Sequence, residues 1–158
     1  MGAFRDFPRI TPFLWFDQNA EEAVDFYIGV FRNSRRLDEV RNPGPGEEPV
    51  SKGAILTIAF ELDGQKFTAL NGGPIFKFTE AISMTVRCDN QEEVDYYWEK
   101  LSAGGKEIEC GWLKDKFGLC WQIVPTQLPE LIKTPEGMKA MMSMVKFDIA
   151  ALERASKP

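Results

Sequence analysis

The sequence predicts an α+β fold built from two tandem β-α-β-β-β modules with a helical extension at the carboxyl end. Three observations carry that expectation. Short strand-like runs end at Asp17 and again at Asp89, each is followed by a stretch of helical periodicity, and hairpin-forming segments come next. DQNAEEAVDFY, from Asp17, resembles DNQEEVDYY, from Asp89, with two residues dropped, and LNGGP (70–74) and WQIVP (121–125) both close on proline. Self-similarity of this kind marks an internal duplication. The expected organisation is one domain over 1–158, with a first module at 10–74, a second at 81–125 and a helical tail at 126–158.

Each element has a local reason. ITPFLWF (10–16) is a short β-prone run, and NAEEAVDFYIGVF (19–31) spaces Ala20, Ala23, Val24, Tyr27 and Phe31 along one helical face, with Asn19 as the cap. SRRLDEVRN (34–42) reads as an exposed strand. NPGPGEEPVSK (42–52) is a polar loop rich in proline and glycine. GAILTIAFELDGQKFTALNGGP (53–74) is a hairpin about Asp63-Gly64. In the second module AISMTVRC (81–88) is the first strand, and QEEVDYYWEKLSAGG (91–105) is a helix stopped by Gly104. KEIECGWL and GLCWQIVP are strands about a turn at Asp115–Gly118, and Pro129 and Pro135 open helices in the tail.

Composition narrows the function classes. A net charge of -5 with no basic stripe argues against nucleic acid as a partner. No apolar run reaches the length of a membrane span, and MGAFRDFPRI lacks the apolar core of a secretion signal. Cys88, Cys110 and Cys120 show no CxxC spacing and are odd in number, which fits a reducing cytoplasm. Histidine is absent, so the commonest metal ligand and general base are missing.

FLWFDQNAEEAVDFY, FTALNGGP, EAIS, CGWLKDKFGLCWQIVP and KFDIAALE, in that order over roughly residues 10–153, resemble the PhnB-like branch of the glyoxalase/bleomycin-resistance/dioxygenase superfamily, also called vicinal oxygen chelate. The resemblance implies a glyoxalase/dihydroxybiphenyl dioxygenase-like cup of paired modules and a homodimer. In metal-using members, it also implies His, Gln or Glu ligands from the first and last strands of each module. Such chains are often called demethylubiquinone methyltransferases. This one lacks the glycine-rich strand-to-helix turn that would bind a methyl donor, because Asn71-Gly72-Gly73-Pro74 runs into IFKFTEAIS.

The duplication then locates the corresponding positions. Matching Asp17 to Asp89 pairs Thr11 with Ser83, and matching Pro74 to Pro125 pairs Asn71 with Gln122. Alternation puts Thr11, Phe13 and Trp15 on one strand face and Ser83, Thr85 and Arg87 on its counterpart. A tight turn at Asp115–Gly118 sets Gly111 opposite Gln122 and Trp112 opposite Trp121. Cys120, Leu113 and Val124 then share the face of Gln122, with space left beside the amide. The quartet Thr11, Asn71, Ser83 and Gln122 holds no His, Asp, Glu or thiol, a donor set that does not grip a divalent ion. No metal and no cofactor are therefore expected.

The resulting expectation is a metal-independent binder of a small molecule of unknown identity. Its site would be lined by Thr11, Phe13, Trp15, Phe67, Asn71, Ser83, Arg87, Cys120 and Gln122. Against it stand a metal-dependent lyase, isomerase or dioxygenase, and a dimeric interaction module whose site is vestigial. The plainer readings of the residues stay open as well. The quartet satisfies its own hydrogen bonds, Trp15 packs in the core, Arg87 forms a surface ion pair, Cys120 is a small apolar residue, and KAMMSMV (139–145) covers the chain's own core.

Overall fold

The computed structural model describes residues 4–158, and each half of the chain folds around its own four-stranded sheet. Two compact units result, Met1–Lys77 and Phe78–Pro158. Among the described residues no helix is long and apolar enough to cross a membrane.

The first unit contains β1 (Phe13–Phe16), α1 (Ala20–Val30), β2 (Arg35–Arg41), β3 (Ile55–Leu62) and β4 (Gln65–Asn71). The sheet order is β1-β4-β3-β2, with β1 parallel to β4 and the other pairs antiparallel. Asp63 and Gly64 both adopt left-handed backbone, φ 45 and 89, and close the β3–β4 hairpin as the Asp-Gly pair requires. α1 buries Ala20, Ala23, Val24 and Tyr27, as read from the sequence, and Val30, against β3 and β4, while Phe31, the expected last member of the stripe, is its C-cap. Removing side chains such as Val24 and Tyr27, both fully buried, from water contributes about 1.5–3 kcal/mol each. Asn19 makes no side-chain cap; the cap comes from across the sheet, as described below.

The second unit repeats the order with β5 (Met84–Cys88), α2 (Gln91–Ser102), β6 (Lys106–Glu107), β7 (Trp112–Lys114) and β8 (Cys120–Pro125), in the sheet order β5-β8-β7-β6. Asn90 caps α2 by accepting from the Glu93 N–H, and Gly104, at φ 75, follows its end. The stretch KEIECGWL is not one strand. Cys110 and Gly111 are both left-handed, φ 59 and 78, and split it into β6 and β7.

The tail forms α3 (Leu128–Leu131), α4 (Pro135–Met142) and α5 (Ile149–Ser156), with proline in the first turn of both α3 and α4. It packs on its own unit. The Cys110 and Gly111 N–H groups donate to the Met144 and Val145 carbonyls, each at 2.8 Å. Gln91 brackets the chain before α5, donating to the Phe147 carbonyl at 2.9 Å and accepting from the Ile149 N–H at 2.8 Å. Phe147, only 1% exposed, sits over Gly111, where an added Cβ would lie 2.4 Å from its ring.

Candidate functional site

Strand register decides which side chains share a face. In the first sheet Leu14 aligns with Ala69 and Phe16 with Asn71, all on the buried side that α1 covers. The opposite, open face carries Phe13 beside Thr68 and Trp15 beside Leu70. In the second sheet Met84 aligns with Trp121 and Val86 with Ile123 beneath α2, while Thr85 aligns with Gln122 and Arg87 with Val124 on the open face.

This register corrects three assignments made from the sequence. Asn71 faces the helix. Its Oδ1 accepts from the Ala20 N–H at 2.9 Å, the first turn of α1, and its amide donates to the Ile55 carbonyl at 3.1 Å. That buried amide therefore has a structural task, supplying the cap that Asn19 does not. The reason lies in the duplication. Gly72 donates to Phe16 O and Thr126 to Cys88 O, so Asn71 corresponds to Pro125, and the counterpart of Gln122 is Thr68. Matching the two prolines misses this by a few residues. Phe67 likewise lies on the helix side, buried and stacked on Phe60 at 5.3 Å, and forms core instead of an open-face wall.

The third correction concerns the β7–β8 hairpin. Lys114 pairs with Cys120, Leu113 with Trp121 and Trp112 with Gln122, one place from the expected register. The connection is a three-residue loop, Lys116–Gly118, inside an Asp115–Leu119 bond of 2.9 Å, and Gly118 at φ 90 supplies the left-handed position of a bulged turn. Asp115, 2% exposed, fixes that loop by accepting from the N–H groups of Phe117 and Leu119 and from the Trp121 indole. Trp112 thus joins the face of Gln122, and Leu113 leaves it for the core. Gly111 is not opposite Gln122, and the room beside it is filled by Phe147. Trp112 is the residue that sequence reasoning missed; a turn counted one residue longer would have found it.

The remaining candidates stand as follows. Gln122, half-buried, donates from Nε2 to Ser83 Oγ at 2.8 Å, so these two positions of the second unit are brought together. Thr68, 2% exposed, has a hydroxyl without a hydrogen-bond partner among the described residues, and half-buried Thr11 precedes β1. The Trp15 indole donates to the Gly73 carbonyl at 2.9 Å and meets the Phe76 ring edge-on at 4.9 Å. Gly72 lies under that indole, where a Cβ would come within 2.4 Å. Phe13 is 54% exposed on the same face.

Arg87 is committed to Asp89 and reaches Thr126 at 3.3 Å, an exposed ion pair at the strand end. Cys120 is fully buried beside its cross-strand partner Lys114, and burial pushes its thiol above the ordinary value. Lys114 contacts Glu80. That contact holds the Glu80 carboxyl below its usual range and raises Lys114, so both are charged.

Two open-face positions per unit thus correspond between the modules, Thr11 and Thr68 in the first and Ser83 and Gln122 in the second. Neither pair, two hydroxyls in the first unit or a hydroxyl and an amide in the second, is a donor set that suits a divalent ion. Among the described residues no group of three or more His, Cys, Asp or Glu side chains is placed to hold a metal.

Tandem β-α-β-β-β units, each with its first strand parallel to its last and its helix on one face, define a vicinal-oxygen-chelate fold. Residues 8–124 match the family described as 3-demethylubiquinone-9 3-methyltransferase. The chain belongs to this PhnB-like family of the superfamily. A PhnB protein from Bacillus cereus, a putative 3-demethylubiquinone-9 3-methyltransferase by its description, is 33% identical, with a TM-score of 0.68 over 75% of this chain and 100% of that one. Protein PA1353 from Pseudomonas aeruginosa, 19% identical over 75% of this chain and 97% of its own, has a TM-score of 0.62. The fosfomycin resistance protein FosX from Listeria monocytogenes, 18% identical over 80% and 98%, has 0.56. At such identities these last two show the fold alone. No curated protein matches the chain. The chain after β4 runs through turns instead of entering a helix, so it offers no strand-to-helix phosphate cradle at Gly72-Gly73.

Proposed function

We propose that this protein binds a small organic molecule on the open face of its second sheet without the help of a metal ion. The observation that carries the reading is the Gln122–Ser83 pair. At the last-strand position of the second unit, where metal-using relatives place a ligand, a neutral amide is directed at a neutral hydroxyl 2.8 Å away. The Gln122 carbonyl oxygen keeps no partner among the described residues, so it is available to a donor on a bound molecule. Trp112 beside Gln122 adds aromatic surface of the kind that ligand sites use.

Titration of tryptophan emission with a panel of aromatic and aliphatic compounds tests the reading, run on protein as purified and again after chelator treatment. Saturable binding is expected, with the same Kd in both preparations. Stoichiometric zinc, iron, manganese or nickel in the purified protein, or binding abolished by the chelator, would overturn it.

A further inference from the structure

We infer that the open face of the second sheet selects a flat organic anion, its ring lying on Trp112 and its carboxylate held at Lys114 and Lys106. The inference rests on the reading of Gln122 and Ser83 as a binding pair and names the charge class of what they bind.

Trp112 provides the first argument. Of the four tryptophans, Trp15 donates its indole N–H to Gly73 O, Trp98 to Glu107 and Trp121 to Asp115. Trp112 donates to no partner among the described residues, although it is half-buried and lies directly beside Gln122. An indole placed so offers both a stacking surface and an unspent donor.

Charge provides the second. Two residues along β7 on the same face, about 7 Å away by strand geometry, Lys114 stands beside Cys120 on one side and Lys106 on the other. Among the described residues, Glu80 is the one acid that contacts Lys114. Lys106 makes no ion pair among the described residues, and its field reaches Glu80 only through space. The other nearby acids keep their charge but serve the opposite face: Glu107 pairs with Leu113 and accepts from the Trp98 indole, and Asp115 accepts from two loop N–H groups and the Trp121 indole. On this face of the sheet two ammonium groups stand against one carboxylate, on a chain whose net charge is -5. With the Trp112 N–H, the exposed groups of this patch are mostly donors, which suits a ligand rich in acceptors. Glu80 then acts as an internal competitor that occupies Lys114 until an outside carboxylate displaces it.

Benzoate and its neutral near-isostere benzamide separate the charge claim from the binding claim. Both are titrated into the full chain, with amide and indole NMR shifts as the readout. Wild type is expected to bind benzoate about three- to fivefold more tightly than benzamide, the scale of a solvated ion pair. Added salt should weaken benzoate only. Lys114→Gln should erase the preference, Glu80→Gln should widen it, and Trp112→Phe should weaken both compounds. Equal affinities in wild type, or a preference that survives Lys114→Gln with Lys106→Gln, would overturn the inference and leave the proposed function intact. Binding of neither compound would overturn the inference, and the proposed function falls only if the wider panel is also silent. The Glu80→Gln arm is decisive, because losing a merely structural ion pair would not tighten a ligand.

Discussion

Replacing Asp115 with alanine should destabilise the second unit more than any exposed substitution. The carboxylate accepts from Phe117 N at 2.8 Å, Leu119 N at 3.1 Å and the Trp121 indole at 2.9 Å. Phe117 is half-buried, and its N–H can turn to water. Leu119 and Trp121 are 1% and 3% exposed, so their donors have no substitute. Each stranded buried donor costs about 1–3 kcal/mol, which gives about 2–6 kcal/mol for the pair. That is a large share of the roughly 5–15 kcal/mol by which a domain is held folded. Asp115→Asn is the graded control. It keeps an acceptor for the loop but sets an amide N–H against the indole N–H, so about 1–3 kcal/mol should be lost. Urea unfolding followed by tryptophan emission measures both variants. A loss below about 1 kcal/mol for Asp115→Ala, at unchanged denaturant slope, would refute the claim that this carboxylate sets the hairpin.

Gly72→Ala should push the Trp15 indole off its seat, since the new Cβ would sit 2.4 Å from the ring. A red-shifted emission and the loss of the Trp15 indole bond to Gly73 O, read by NMR, are the expected signs. The thiols should divide in native protein. Burial raises the Cys88 thiol to about 12 and moves Cys120 in the same direction, so both stay protonated and shielded near pH 8, while half-exposed Cys110 reacts. A disulfide reagent should therefore count one thiol before unfolding and three after; fast native reaction of Cys88 would contradict the burial argument.

Much of the scaffold can be read from local chemistry. Asp63-Gly64 dictates its turn, Gly104 follows the end of α2, and Ala20, Ala23, Val24 and Tyr27 face the sheet as their spacing requires. The family, too, follows from strings that keep their order along the chain. Facing in the site is harder, because strand period is two and one residue of turn length reverses every assignment. Ser83 and Gln122 meet through a hydrogen bond, although the proline match pairs Gln122 with Asn71 and the strand register matches it to Thr68. Asn71 and Phe67 go to the core side because the strands pair at Phe16 and Asn71, not at the prolines. Trp112 changes faces for the same reason, through the bulged loop at Gly118. Where Phe147 lands depends on contacts distant in sequence, which no local signal encodes.

The bracket formed by Gln91 around the backbone at Phe147 and Ile149 means that the last segment is not ornament. Phe147, Ile149 and Leu152 are all buried, yet they lie beyond residues 8–124, the portion shared with the family. A shortened version ending at Pro125 would bare the notch at Gly111 and leave the Cys110 and Gly111 N–H groups to water. Comparisons restricted to the common region therefore overlook part of what keeps the second sheet in shape.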